Sequence, residues 1–461
     1  STIYMAYYTF AHILQQGPFD GSVPGEGAIA PKDLTEAVWD YILIDGPYPE
    51  GTPISKEVLE KMKREFNYWY PVDLRVSGKD LIQNHLTMFL YNHAALFDKS
   101  KWPRSIRTNG HVLLNNEKMS KSTGNFKTLK QALEEYSADG MRFALALAGD
   151  GNEDANFEHN VANGAILKLS NELQFVEKTL ASLGEFRTGP LELTIDKIFD
   201  NEMKRLVYST DACYKAMQYR EALIEGWDKL QNARDKYRAM SGPIGMHKDL
   251  ILKFMEYQTI MVAPICPHYS EHVWILLGHP EGIMKARWPE SSQVGDVDPL
   301  LARINVYFDK ALSDLRAKAE KAAAKAKPSK AVIYVADSFL DWQQASLKIL
   351  KAHVDAGKVF DKDFKKSMMG MPELAPFKQH MKLLMPFVAF CIDDFEVRGV
   401  EAFELSVPFD EAKILTDSLE YLKGELNIPE IEVTQWPPAD AAVSKKLQAA
   451  VPGKPAALFV A

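Results

Sequence analysis

The chain has 461 residues, of which 46% are apolar and 25% charged, with a formal net charge of −8. That length is too great for one hydrophobic core and suggests about three domains, and the composition is ordinary for a soluble globular protein. The acidic balance excludes a protein that coats nucleic acid indiscriminately, while leaving room for a local basic face that binds RNA. Cys213, Cys266 and Cys391 lie far apart with no C-x-x-C pair. They indicate neither a disulfide framework nor a zinc ribbon, and fit a reducing cytoplasm. The longest apolar run, Leu383 to Ile392, is broken by Pro386 and is too short to span a bilayer, so no membrane is expected.

In chain order, residues 1–16 mix aromatic and aliphatic side chains and are expected to be buried around a pocket, and residues 17–31 are Gly/Pro-rich and loop-like. Helical patterns follow at Leu34, Val38 and Tyr41 and at Val58, Met62 and Phe66, then an apolar helix over 81–97 bearing His85 and His93. From 158 to 183, Val161, Ile166, Leu169, Leu173, Val176 and Leu180 recur at three- to five-residue intervals, predicting one long amphipathic helix. Patterns at 195–219, 221–240, 247–262 and 268–277, the last entered through Pro264 to Pro267, predict a helical bundle. Residues 310–330, Ala/Lys-rich and ending near Pro328, read as a helix or linker at a domain edge. Beyond them come strands at 332–335, 403–408 and 430–435 and helices at 340–352, 377–390 and 411–424, a small α/β module.

The most specific stretch is Glu117-Lys118-Met119-Ser120-Lys121-Ser122-Thr123-Gly124-Asn125. Two ammonium groups three residues apart reach different phosphates, and small neighbours let backbone amides approach the same oxygens. A solvated surface loop would explain the lysines alone. Its surroundings favour the phosphate reading: the apolar segment His111 to Leu114 leads in, and Thr128 with Gln131 forms a capping-box pattern for the next helix.

This run resembles the second signature of class I aminoacyl-tRNA synthetases. Leu74 to His85 is similar to the G-x-D-x-x-x-x-H element of the same catalytic fold, carried here by Gly78, Asp80 and His85. With the opening Ser1 to Tyr8 and the long C-terminal tail, the likeness is to leucyl enzymes of the eukaryotic and archaeal cytosolic type. It is densest over 73–160 and thinner after about 330. The family's first signature, a His-Ile-Gly-His-like tetrapeptide, has no counterpart here, nor does the editing insertion, and the chain opens on Ser1. It therefore reads as the C-terminal part of a larger synthetase.

The resemblance implies a multidomain α/β plus all-α protein. Its parts would be the second half of a Rossmann-like catalytic domain (1–126), connecting helices (127–185), an anticodon-binding-type helical bundle (186–309), the linker (310–330) and a C-terminal α/β tRNA-binding module (331–461). It implies ATP-dependent activation of leucine and transfer to tRNA-Leu, magnesium on the phosphates, and as partners the missing N-terminal portion and a possible multi-synthetase complex. Lys118 and Lys121 would be catalytic. Gly78, Asp80, His111, Val112, Met119, Ser120 and Ser122 would join them around ATP, and Tyr4 and His85 fall where leucine-pocket residues lie. For that last pair a core aromatic and a satisfied buried histidine fit equally well. Another class Ia synthetase (for valine, isoleucine or methionine) and a non-catalytic tRNA-binding fragment remain alternatives. The seven Lys or Arg against two acids in 310–330 could track phosphates or simply form a solvated helical face.

Three motif matches point elsewhere. Gly25-x-Gly27-x-x-Ala30 spells a dinucleotide pattern but follows a loop and precedes Pro31. Ser77-Gly78-Lys79-Asp80 imitates the end of a P-loop without its first glycine or its Ser/Thr. His268-Tyr269-Ser270-Glu271-His272 spells H-x-x-E-H, a zinc-peptidase motif, yet its Pro-His context resembles the entry to a bundle helix, and no metal is expected.

Overall fold

Ser55 caps the helix Lys56–Trp69 by accepting from the Val58 amide, and Leu59, Met62 and Phe66 fall on one stripe that is fully buried. The structure, a computed structural model, describes residues 2–460 except 19, 121, 123, 362–363, 365–366, 369 and 437–449. Its contacts divide it into two units. One comprises Ser1–Leu173, Cys213–Leu223 and Pro264–Tyr269, the other Gln174–Ala212, Ile224–Ala263 and Ser270–Ala461.

In the first unit, the short helices Tyr4–Tyr8 and Ala11–Gln15 send Ala6, Phe10, Ile13 and Leu14 into a core shared with Val38, Ile42 and the Leu59–Phe66 stripe. Gly25 is a loop glycine: a Cβ there would lie 1.7 Å from the Gln16 carbonyl oxygen. The helix Ala11–Gln15 stands ahead of it, where a dinucleotide loop needs a strand. Strand β1 (Arg75–Gly78) pairs in parallel with β2 (Ile106–Asn109), Arg75 opposite Ile106 and Gly78 opposite Asn109. Between them the expected 81–97 helix begins as a wide π turn over Ile82–Leu86, carrying His85, before the α-helix Thr87–Leu96. Strand β3 (Val112–Leu114) pairs antiparallel with β4 (Glu117–Lys118) and parallel with β5 (Ala155–Phe157). Leu114, Phe157, Tyr136, Ala144 and Ala162 form the core beneath this second sheet. The Pro264–Pro267 turn is held by Arg142, which donates to the carbonyls of Ile265 (2.7 Å) and Pro264 (2.8 Å).

In the second unit the expected bundle helices appear as Thr194–Lys215, Leu230–Ser241 and Lys248–Val262, with the π turn Ile224–Lys229 ahead of the second. Phe199 stacks on Tyr237 at 4.5 Å, and Arg234 lies over the Phe175 ring at 4.1 Å. Asp196, fully buried, accepts from Arg187 Nη2 (2.7 Å) and Nη1 (3.1 Å) and from the Tyr237 hydroxyl (2.6 Å), so its charge is paired rather than stranded.

For the 310–330 segment, read as a helix or linker, the structure has the helix. It is no linker up to residue 323, but the second half of one helix, Pro299–Ala323, opened by Asp298 accepting from Leu300 and Leu301 amides with Pro299 at the first turn. Ile304, Phe308, Leu312, Leu315 and Ala319 line its buried face and pack in one core with Ile333 and Val335 of β6 (Lys330–Ala336). The boundary expected at 310 therefore falls inside an element that belongs to both sides. Strand β6 pairs in parallel with β7 (Glu430–Trp436) and antiparallel with β8 (Ala456–Val460), which the sequence reading missed. The strand expected at 403–408 is absent: the 3-10 turn Gly399–Phe403 leads into bends, because Phe403 turns into a helical core with Phe364, Leu384, Val388 and Cys391 instead of pairing.

Glu411 opens the helix Glu411–Asp417 and is 4% exposed. Its Oε1 accepts from the Gly453 amide at 2.8 Å, but burial outweighs this and the nearby Tyr307 hydroxyl and pushes the carboxyl up to about 7. The folded state therefore holds the proton more tightly than the unfolded chain. The contribution of Glu411 to stability is fullest below pH 4.5, is lost as pH rises from there to about 7, and levels above it. Glu411→Gln should remove that decline, melting like the parent at pH 5 and being more stable by on the order of 2 kcal/mol at pH 8, as read by chemical denaturation.

Candidate functional site

Asn115 and Asn116, both at positive φ (51° and 67°), make the two-residue turn that folds β4 back on β3. This places Lys118 opposite Leu113, next along the strand from Val112. The chain then closes on itself: the Ser120 amide donates to the Asn125 carbonyl at 2.9 Å, and the Ser120 and Ser122 hydroxyls lie 2.8 Å apart. Gly124, at φ +73°, makes the return. Thr128 and Gln131 form a reciprocal capping box at the start of the helix Leu129–Tyr136. The order is thus strand, hairpin, loop and helix, the hairpin being an addition to the sequence reading. The Lys118 side chain is exposed and has no ion-pair partner among the described residues, and Met119 is partly exposed. Lys121 lies outside the described residues.

The second element sits on the other sheet and is tied to this one through Asp154. The Asp154 carboxylate accepts from Lys79 Nζ at 2.7 Å and from the His111 amide at 2.9 Å, and those two donors hold its pKa below the usual carboxylate range. Gly78 and Asp80 flank Lys79 at the end of β1, and a Cβ on Gly78 would lie 2.6 Å from Asp80 Oδ1, so a larger residue there would turn the Asp80 carboxylate aside. Gly78, Asp80, His111 and Val112 are therefore brought to one edge, and Lys118 is joined to them through the β3–β4 hairpin.

Tyr4 and His85 also meet. Their rings stack at 6.4 Å and 28°, and Arg75 places its guanidinium 5.7 Å from the Tyr4 ring. His85 Nε2 and Arg75 Nε are buried without hydrogen-bond partners, two donors-in-waiting at one place. Sequence reasoning named Tyr4 and His85 but missed Arg75. Neighbouring His93 is a packing residue: fully buried, it is bonded to the Tyr70 hydroxyl (3.0 Å) and the Phe89 carbonyl (2.8 Å), and burial lowers its pKa.

The H-x-x-E-H run lies at the helix Pro267–Leu276. His268 Nδ1 lies 3.1 Å from Asp139 Oδ1, while Glu271 Oε2 accepts from the Ile283 amide at 2.7 Å, so both side chains are already engaged. Among the described residues no three His, Cys, Asp or Glu side chains gather as a metal site would require. Elemental analysis of chelator-treated protein is expected to find no stoichiometric zinc and no loss of folding.

Comparison with known proteins gives three consecutive matches. Residues 41–173 match the family described as tRNA synthetases class I (M), residues 196–333 the anticodon-binding domain of tRNA ligase, and residues 335–408 the leucine–tRNA ligase RagD-binding domain. Over its full length the chain is 43% identical to the cytoplasmic leucine–tRNA ligase of Pongo abelii and 42% identical to those of Dictyostelium discoideum and Arabidopsis thaliana. The chain is similar along its whole length to cytoplasmic leucine–tRNA ligases. It covers 40% of the first of these relatives and 44% of the other two. The anticodon-binding match runs through 310–333 without a break, as the continuous helix Pro299–Ala323 does. No helix among the described residues is long and apolar enough to cross a membrane.

Proposed function

We propose that the chain is the part of a leucine–tRNA ligase that supplies the ATP-phosphate loop, one wall of the leucine pocket and the tRNA-binding modules. The observation that carries this is the Ser120–Asn125 closure of the signature loop at the end of the β3–β4 hairpin, joined through Asp154 to the Gly78–Asp80 turn. One carboxylate thereby holds two distant motifs in one edge.

In the reaction, a leucine carboxylate oxygen attacks the α-phosphorus of ATP, the bond to the β-phosphate oxygen breaks, and pyrophosphate leaves with its electron pair. A ribose hydroxyl of the tRNA then attacks the acyl carbon, giving up its proton as AMP departs. The first step needs alignment and cations where charge gathers on the departing group. Lys118 and Lys121 fill that role, with Ser120 and Ser122 as hydroxyl donors. Gly78 lets the backbone approach the nucleoside, Asp80 accepts from ribose hydroxyls, and His111 and Val112 flank the base. Tyr4, His85 and Arg75 bound the leucine side. Magnesium would arrive on the ATP phosphates, its charge serving the same departing group.

For the tRNA, Lys310, Arg316 and Lys330 are engaged with Asp394, Glu425 and the Glu430–Glu432 pair. Lys321, Lys325 and Lys327 are exposed at the end of the same segment, so the phosphate-tracking face is this shorter cluster. The names of the relatives support a cytoplasmic setting. The test is pyrophosphate exchange by the protein extended to its relatives' length, with leucine, valine, isoleucine and methionine in parallel. Exchange led by leucine supports the reading; exchange led by another amino acid reassigns the pocket.

A further inference from the structure

The strand that carries Lys118 is too short to hold itself. Strand β4 is two residues long and stands at the outside of the β4–β3–β5 sheet, with Leu113 and Leu114 as its only strand partners among the described residues. A ladder of that length sets a register but leaves the hairpin free to tilt. Across the sheet Lys118, Leu113 and Asn156 stand in one row, on the face opposite the buried Leu114 and Phe157. From the loop side, Asn125 Nδ2 reaches the Lys118 carbonyl only at 3.4 Å, a long bond.

The firmer tether is at the turn. The Asn116 amide donates to Asn156 Oδ1 at 2.7 Å, and Asn156 Nδ2 donates back to Asn116 Oδ1 at 2.8 Å. Asn156 Nδ2 also donates to Glu158 Oε1 at 2.8 Å, so both of its hydrogens are committed. Asn115 adds two bonds: its amide donates to the Phe157 carbonyl at 3.0 Å, and its Oδ1 accepts from the His159 amide at 3.2 Å. The turn thus passes beyond the end of β3 and is fastened to the far strand, β5, and the residues that follow it. Hairpin geometry alone does not ask for this. Asn-Gly satisfies a two-residue turn with both φ positive, so the Asn116 side chain serves something besides the turn.

We infer that Asn156 and Asn116 are positioning residues for amino-acid activation: their paired amides fix the tilt of the hairpin, and so where the Lys118 ammonium stands as pyrophosphate departs. The inference rests on the phosphate-loop reading above. The Lys118 side chain is long and exposed, and what holds it on this side is its backbone. A turn released from Asn156 would swing β4 about its contact with Leu113. A displacement of about 1 Å in a charged group is enough to slow a reaction. The loss would fall on turnover, because the charge that Lys118 meets is developed only in the transition state.

The test compares the protein extended to its relatives' length as parent, Asn116→Gly, Asn156→Ala, the double variant and Asn116→Asp, read by leucine-dependent pyrophosphate exchange. Asn116→Gly keeps a residue suited to positive φ, so it should melt with the parent while kcat falls about fivefold and the KM for leucine changes less than about twofold. Asn156→Ala should fall equally and the double variant no further, because the two residues serve one contact. Asn116→Asp keeps the turn and the acceptor for Asn156 Nδ2, and should stay within about twofold of the parent. Added to Lys118→Ala, Asn116→Gly should slow exchange by less than about twofold more, since no ammonium is left to place. Unchanged kcat in Asn116→Gly, or a fall that only follows a lowered melting temperature, would overturn the inference and leave the pair a matter of stability. A further loss of about fivefold in the Lys118→Ala background would overturn it as well, by placing the work of the pair elsewhere. Lys118→Ala alone tests the underlying reading. Exchange untouched by it would remove that reading, whereas exchange slowed by it but not by Asn116→Gly would remove only the role of the asparagines.

Discussion

In the protein extended to the length of its relatives, Lys121→Ala is expected to lower the turnover of leucine-dependent pyrophosphate exchange at least about a hundredfold, the scale of removing one transition-state charge contact. The loss should fall on kcat more than on the KM for ATP. Ground-state ATP already carries its phosphate charge and has magnesium to share it. The departing pyrophosphate gains charge only as the α–β bond breaks, and an ammonium placed for that moment is worth most there. Lys118→Ala should cost less, because Lys118 extends from a strand whose register with Leu113 is fixed, before the loop has turned toward the phosphates. The double variant should lose less than the product of the two single losses, since the two lysines serve one group. Exchange kinetics unchanged by Lys121→Ala would remove the phosphate-loop assignment, and with it the main role proposed for residues 118–125.

How much of this was legible beforehand depended on whether local chemistry decided the structure. The capping box at Thr128 and Gln131 is a contact between residues three apart, and it is present as read. The stripe Val58, Met62, Phe66 and the bundle patterns were readable for a similar reason: burying one face of a helix leaves its period in the sequence. The strand assigned to 403–408 failed because alternating Phe403, Leu405 and Val407 can serve a sheet or a helical core, and the helical partners were distant in sequence. The Lys/Ala segment left helix and linker open for the opposite reason. Its lysines dominated the composition, while the small alanines between them, Ala311 and Ala319, are what allow close packing against β6.

At the candidate site, Tyr4 and His85 came from the resemblance, but Arg75 had a signal of its own. In β1, Val76 is 51% exposed while the flanking Arg75 is half-buried with an unpartnered Nε, an inversion of the usual strand pattern. A charged residue on the inward face of a strand with no paired charge nearby in sequence is a reason to look for a ligand. Asp154, which joins the two motifs, carried no such mark, because an aspartate in the acidic loop 150–154 looks like any solvated carboxylate. Its role depends on Lys79, 75 residues earlier.

The other large expected effect separates binding from chemistry. Among the described residues, β1 has a hydrogen-bonded neighbour on one side, β2, and no strand of this chain covers its other edge. The Gly78–Asp80 turn ends β1, and the sequence holds no His-Ile-Gly-His-like tetrapeptide to meet the phosphates from across a cleft. The second unit differs: its helix Pro299–Ala323 with the β6–β7–β8 sheet, and its helices between 339 and 403, have buried cores of their own. A part with its own core is expected to fold independently, and the exposed Lys321, Lys325 and Lys327 lie in it. This 461-residue polypeptide alone should therefore bind tRNA with an affinity that falls steeply between 50 mM and 200 mM salt, as binding through phosphates does, while showing no leucine-dependent pyrophosphate exchange. Supplying the remaining part of a relative's length, nearly three-fifths of it, fused or in trans, should bring exchange up from background to ordinary synthetase turnover, on the order of 1–10 per second. The two halves of the expectation fail separately. Loss of tRNA affinity with restored exchange would move the RNA contacts out of the second unit. Robust leucylation by the 461 residues alone would mean that Lys118, Lys121, Gly78 and Asp80 already form a whole ATP site, with the charge on the departing pyrophosphate met from this side of the cleft only.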